Sequence, residues 1–170
     1  MSTRNSLIVI TLGALALALA FAPANAGSDA MAQAQKAIER GQYAAAVSRL
    51  EPLVARGDAR AEEALGALYD AGRGVAPDPA RAAKLFREAA LQGSGAAQLN
   101  LANLYLDGRG VQADPVLAYA WADAAAASGE PGGQRIVDRL AKVIPLGQLK
   151  RAQSRAQRYI ELYVVPFRTG

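Results

Sequence analysis

From residue 61 onward the apolar residues recur with a helical period, and the pattern is written twice. Ala61, Leu65, Leu68 and Tyr69 stand at i, i+4, i+7 and i+8, the stripe of an amphipathic helix. Ala82, Leu85, Phe86, Ala89 and Ala90 form a second stripe. The segment between them, LYDAGRGVAPDP at 68–79, returns 36 residues later as LYLDGRGVQADP at 104–115. Pairing 61–96 with 97–132 leaves fourteen of 36 positions identical, Leu65/Leu101 and Tyr69/Tyr105 among them. Each unit is read as one helix pair. Gly72 and Gly108 suit helix ends that need a positive φ. Asp78-Pro79 and Asp114-Pro115 restart the helix: the carboxylate caps free N–H groups, and proline is tolerated at the first helical position.

The period continues on both sides with changes. Upstream, Ala46, Leu50, Val54 and Gly57 align with Ala82, Phe86, Ala90 and Gly93, behind a loop five residues shorter (Gly41 to Ala46 against Gly72 to Ala82). This predicts a tight turn, a preceding helix capped by Ser28 or Asp29, and a bend at Pro52, which lacks an N–H. Downstream, Gln134 to Val143 reads as a short helix stopping before Ile144-Pro145. Leu146, Leu149, Ala152, Ala156, Tyr159, Ile160 and Tyr163 mark the stripe of a last helix. Gly129-Glu130-Pro131-Gly132 departs from the repeat, so an irregular junction is expected at 130–133.

At the start of the chain, Arg4, an apolar run from Leu7 to Phe21 and Ala24-Asn25-Ala26 have the layout of a secretory signal peptide cut after Ala26. The run is about fifteen residues, short of the roughly twenty that span a bilayer, which argues against the competing reading of an uncleaved anchor. The expected organisation is a signal peptide at 1–26, a helix pair at 27–57, two repeats at 58–130 and terminal helices at 131–170.

The string Ala61-x-x-x-Leu65-Gly66-x-Leu68-Tyr69-x-x-Gly72-x-Gly74-Val75-x-x-Asp78-x-x-x-Ala82, then Ala89-Ala90-x-x-Gly93, resembles the Sel-1-like repeat, a relative of the tetratricopeptide repeat. The second copy places Trp121 where that family usually has an aromatic residue, and departs at Ala102 in place of glycine and at 129–132. The tight upstream turn resembles a plain tetratricopeptide repeat, and the ending resembles the terminal helices of Sel-1-like arrays. The resemblance implies an all-α, right-handed α/α solenoid of stacked helix pairs with a C-terminal capping helix. It also implies a non-catalytic protein–protein interaction module, adaptor or regulatory, periplasmic or secreted after signal-peptide cleavage.

Composition narrows the chemistry. With no cysteine and no histidine, a thiolate zinc site, a cysteine nucleophile and a histidine-based triad are excluded. Glu62 and Glu63 point some 100° apart on a helix and do not share a site. Ser94 lacks the strand-to-helix turn of a nucleophile elbow, and no Ser-x-x-Lys occurs. Gly72-Arg73-Gly74 lacks the Lys-Ser/Thr ending of a phosphate-binding loop. Tyr69, Tyr105 and Trp121 lie on packed stripes and read as core. No catalytic residue, cofactor or metal is expected, with a cell-wall or β-lactam hydrolase as the alternative.

The partner is expected to be another envelope protein rather than nucleic acid. Opposite the packed stripe of the first helices lie Glu63, Ala67 and Asp70, then Leu99, Asn103 and Leu106, candidates for a concave contact face. Leu99 and Leu106 are apolar where periodicity predicts exposure, so they either pack on the adjoining helix or meet the partner. The charge is uneven: residues 27–130 hold ten cations and thirteen acids, whereas 131–170 hold eight cations against Asp138 and Glu161, a net of +6. Lys150, Arg151, Arg155 and Arg158 sit opposite the stripe of the last helix. They are read as its solvated outer face, or as a dock for an acidic partner or an anionic membrane surface.

Overall fold

The computed structural model describes residues 26–167, so the signal-peptide expectation lies outside the described residues apart from Ala26. The elements are α1 (Ala26–Glu39), α2 (Tyr43–Val54), α3 (Ala59–Ala71), α4 (Pro79–Leu91), α5 (Gly95–Asp107), α6 (Pro115–Ala127), α7 (Pro131–Val143) and α8 (Leu146–Tyr163), then a 3-10 turn, Val165–Phe167. No strand occurs among the described residues. The chain is all-helical, with helices stacked in consecutive pairs as in a repeat solenoid.

The repeated punctuation acts as its residue types require. Asp58, Asp78, Ser94 and Asp114 precede α3 to α6, and their side-chain oxygens accept N–H groups of the first turn. Such caps contribute about 0.5–2 kcal/mol each. α3 and α5 end at Gly72 and Gly108, with φ of 63° and 67°. The loops that follow repeat the same bonds: the Asp78 N–H donates to Tyr69 O and the Asp114 N–H to Tyr105 O, at 2.9 and 3.0 Å. Gly110 is required by a close approach, because a Cβ there would run into the backbone at Pro79, the start of α4. Gly74 meets the backbone at Tyr43, the start of α2, in the same way. Each loop leans on the second helix of the pair before it.

Neighbouring helices pack in chain order from α1 to α7. Leu65, Leu68, Leu101 and Leu104 are buried, and Ala61, Ala82, Ala97 and Ala118 have no exposed surface. These small side chains let the helix axes come close.

Three expectations are corrected. α1 starts at Ala26, so Ser28 and Asp29 lie inside its first turns and not ahead of them. Leu146 is 69% exposed and does not join the packed stripe of α8. The junction at 130–133 is regular. Gly129 takes a φ of 94° as Gly93 takes 88°. The Glu130 N–H donates to Ala125 O as the Ser94 N–H donates to Ala89 O. α7 is a third first-helix, with Val137 and Leu140 buried at the places of Leu101 and Leu104. Gly133 stands for Ala97 because the α6 backbone at Ala122 and Ala126 comes too close for a Cβ.

After Pro145 the chain turns back. α8 makes little contact with α7; it lies along α6 and also meets α4. Ala152 and Ala156 are its buried residues. Trp121 of α6 packs on Tyr159 and Tyr163, ring centroids 4.3 and 5.9 Å apart. The capping helix thus covers the flank of the second repeat. Pro52 sits in the last turn of α2, which stops two residues later.

Candidate partner-binding surface

Three first-helices in register bring their outward positions into rows. Stepping by 36, Glu63, Leu99 and Arg135 make one row, Ala67, Asn103 and Arg139 a second, and Asp70, Leu106 and Lys142 a third. The repeat read from the sequence ends at residue 130 and gives only two members of each row. The missing signal was the same 36-residue step, hidden because Gly132 and Gly133 replace alanines. Across the rows the surface passes from acidic on α3, through apolar and amide on α5, to basic on α7.

The acidic end is internally engaged. Ser94 Oγ donates to Glu63 Oε2 at 2.6 Å. Arg109 donates to both carboxylate oxygens of Asp70, at 2.8 and 3.3 Å, a two-pronged pairing. Its counterpart Arg73 has Ala34, not an acid, 39 residues before it, and lies instead over the Tyr43 ring at 5.4 Å. The loop arginines therefore stitch successive pairs together. Leu99 and Leu106 are half-buried against the core, while Ala67 is exposed.

The basic end is open. Leu99, Asn103, Gly132, Arg135, Ile136 and Arg139 line a cleft of roughly 440 Å³ between α5 and α7. Arg135 and Arg139 are exposed, stand one turn apart, and form no ion pair within the described residues. Lys150, Arg151, Arg155 and Arg158 are exposed on α8, which lies over the second helices α4 and α6. The ten candidate residues thus fall on two surfaces.

Beneath the first-helix surface runs a repeated polar position, Glu62 and Gln98, of which the sequence suggests only Glu62, as half of an adjacent acid pair. Glu62 and Gln98 are only 3% and 0% exposed. Gln92 Nε2 donates to Glu62 Oε2 at 2.8 Å, and Ser128 Oγ, one repeat on, donates to Gln98 Oε1 at 3.0 Å. Gln98 Nε2 also donates to Ala90 O and Tyr163 O, both at 3.3 Å, holding the end of α8. Burial, then the charges of Glu88 and Asp58, push the Glu62 carboxyl above its ordinary value, against the Gln92 bond. Among the described residues no group of three or more acids is placed to hold a metal.

The Sel1-repeat family model matches residues 59–94 and 95–130, two windows that open at α3 and α5. The chain carries two Sel1 repeats. Its fold is that of Sel1-repeat structures. A protective antigen present in uropathogenic Escherichia coli strains and displaying an SLR fold is 30% identical, with a TM-score of 0.78 over 81% of this chain. A Sel1 repeat protein from Oxalobacter formigenes is 25% identical, with a TM-score of 0.64 over 77%. This chain spans only 30% and 54% of those two proteins. No curated protein matches it.

Proposed function

We propose that this Sel1 array is a non-catalytic protein-binding module of the bacterial envelope, whose partner lies on the first-helix surface. Sel1 repeats generally mediate protein–protein interaction, which supports this class of function. The cleft between α5 and α7 carries the finer reading. Its floor is apolar (Leu99, Ile136), its wall offers the Asn103 amide, and its rim holds two arginines without a counter-ion in the described chain. An extended segment with acidic side chains satisfies all three features. The envelope location rests on the signal-peptide layout of residues 1–26.

Photo-crosslinking side chains placed at Asn103 and Arg139, with a control at the exposed Gln157 of α8, test this in intact cells. One envelope protein should crosslink from positions 103 and 139, and the product from position 103 should vanish when Arg135 and Arg139 are both changed to glutamate. Products from position 157 alone would move the partner off this surface.

A further inference from the structure

We propose that the opposite flank, the outer face of α8 together with that of α4, docks on an anionic lipid bilayer surface. Lys150, Arg151, Arg155 and Arg158 are exposed along α8, and Arg81, Lys84 and Arg87 along α4. The two helices touch, which sets the two groups of cations on neighbouring elements. Within the described residues none of the seven is in an ion pair. The carboxylates on the two helices are the half-buried Glu88 and the exposed Glu161, which already accepts from Gln157 at 3.0 Å; Asp78, just ahead of α4, accepts the Arg81 N–H at 2.9 Å.

Charge alone would suit any acidic surface; the apolar residues select the bilayer. Leu146, one turn ahead of Lys150, is 69% exposed, and Leu162, one turn beyond Arg158, is 52% exposed. Val143 and Val165 stand out at 70% and 55% just past the two ends of α8. None of these four serves the core. A helix of 18 residues is about 27 Å long and can lie flat on a membrane. There its cations reach lipid phosphates while the terminal leucines dip below the headgroups. The shallow recess of roughly 660 Å³ lined by Lys150, Arg151, Ser154, Arg155, Arg158 and Tyr159 has room for a headgroup.

Co-sedimentation of the chain from Gly27, which contains every residue of the core, tests the proposal with two vesicle types. One is neutral phosphatidylcholine; the other contains about one-third phosphatidylglycerol. Protein should pellet with the anionic vesicles and not with the neutral ones. The bound fraction should fall several-fold between low and physiological salt, because exposed charges are screened over about 8–10 Å.

Changing Lys150, Arg151, Arg155 and Arg158 to glutamine keeps good helix formers and should cut binding at least about tenfold. Changing them to glutamate takes residues 131–170 from +6 to −2 and should abolish it. Leu146→Ser with Leu162→Ser touches no buried residue, and should weaken vesicle binding several-fold without altering retention on a polyglutamate resin. Equal pelleting with both vesicle types, or wild-type binding by the glutamine variant, overturns the proposal. So does retention on polyglutamate without vesicle binding, which assigns the face to an acidic protein.

Discussion

α4 and α6 hold the same place in successive repeats, yet only α4 keeps a polar side. Ala82, Leu85, Phe86, Ala89 and Ala90 on α4 answer to Ala118, Trp121, Ala122, Ala125 and Ala126 on α6, so the inward stripe persists. The outward residues Arg81, Lys84, Arg87 and Glu88 become Leu117, Ala120, Asp123 and Ala124. Lys84 is exposed, whereas Ala120 and Ala124 have no exposed surface, because α8 covers them. A helix that is apolar all round is a buried helix. Repeated positions stay alike where they face a repeated neighbour and drift where they face a singular one.

Ala120→Lys puts the α4 residue into the α6 position and should break the comparison most severely. It buries a charge without a partner, a loss of about 3–5 kcal/mol. Lys84→Ala, the reverse exchange, should stay within about 0.5 kcal/mol. Chemical denaturation of both variants checks the pair, and a neutral Ala120→Lys would mean that α8 does not cover α6.

Where the copies face equivalent neighbours, they should respond alike. Leu68→Ala and Leu104→Ala should each cost about 2–5 kcal/mol in the same experiment, since both leucines are buried in the same frame.

Positions 62 and 98 sharpen the contrast through pH. Gln98→Glu sets a carboxylate against the carbonyls of Ala90 and Tyr163 and should cost about 1–3 kcal/mol or more. Glu62→Gln should do the opposite. The folded-state pKa of Glu62 is raised, so its contribution is fully present below the unfolded pKa and is lost as pH rises through the folded value. The variant should therefore be more stable than the wild type at neutral pH. That advantage should fade as the pH falls below the ordinary value of 4.5.

Smallest are the surface stitches. Glu63→Ala should cost about 0.5–1.5 kcal/mol through the lost Ser94 bond. Asp70→Ala should cost about 0.2–1 kcal/mol, as exposed pairs do, and Asn103→Ala should stay within about 0.5 kcal/mol.

Much of this fold was legible because its signals are local. The 3.6-residue stripes, the Asp-Pro restarts and the glycine stops each depend on a few neighbouring residues. What escaped depends on distant ones. Glu63 read as a free surface residue because its partner Ser94 lies 31 positions away. Gly132 and Gly133 read as an interruption, although Gly133 is only the closest approach of α7 to α6. The run VLAYAWADAAAA at 116–127 carries Asp123 as its one charge, and a helix so nearly apolar all round asks for a cover. Only the folded chain shows that α8 supplies it.

Trp121, the chain's one tryptophan, sits at this seam, 4% exposed and against Tyr159 and Tyr163. Acrylamide quenching of its fluorescence, in the chain from Gly27 and in a version ending at Pro145, tests the role of α8 directly. The indole should be protected in the first. In the second it should be readily quenched and red-shifted, while far-UV circular dichroism shows the remaining helices in place. Equal protection in both would contradict that role, since α6 would then owe its buried face to something other than α8.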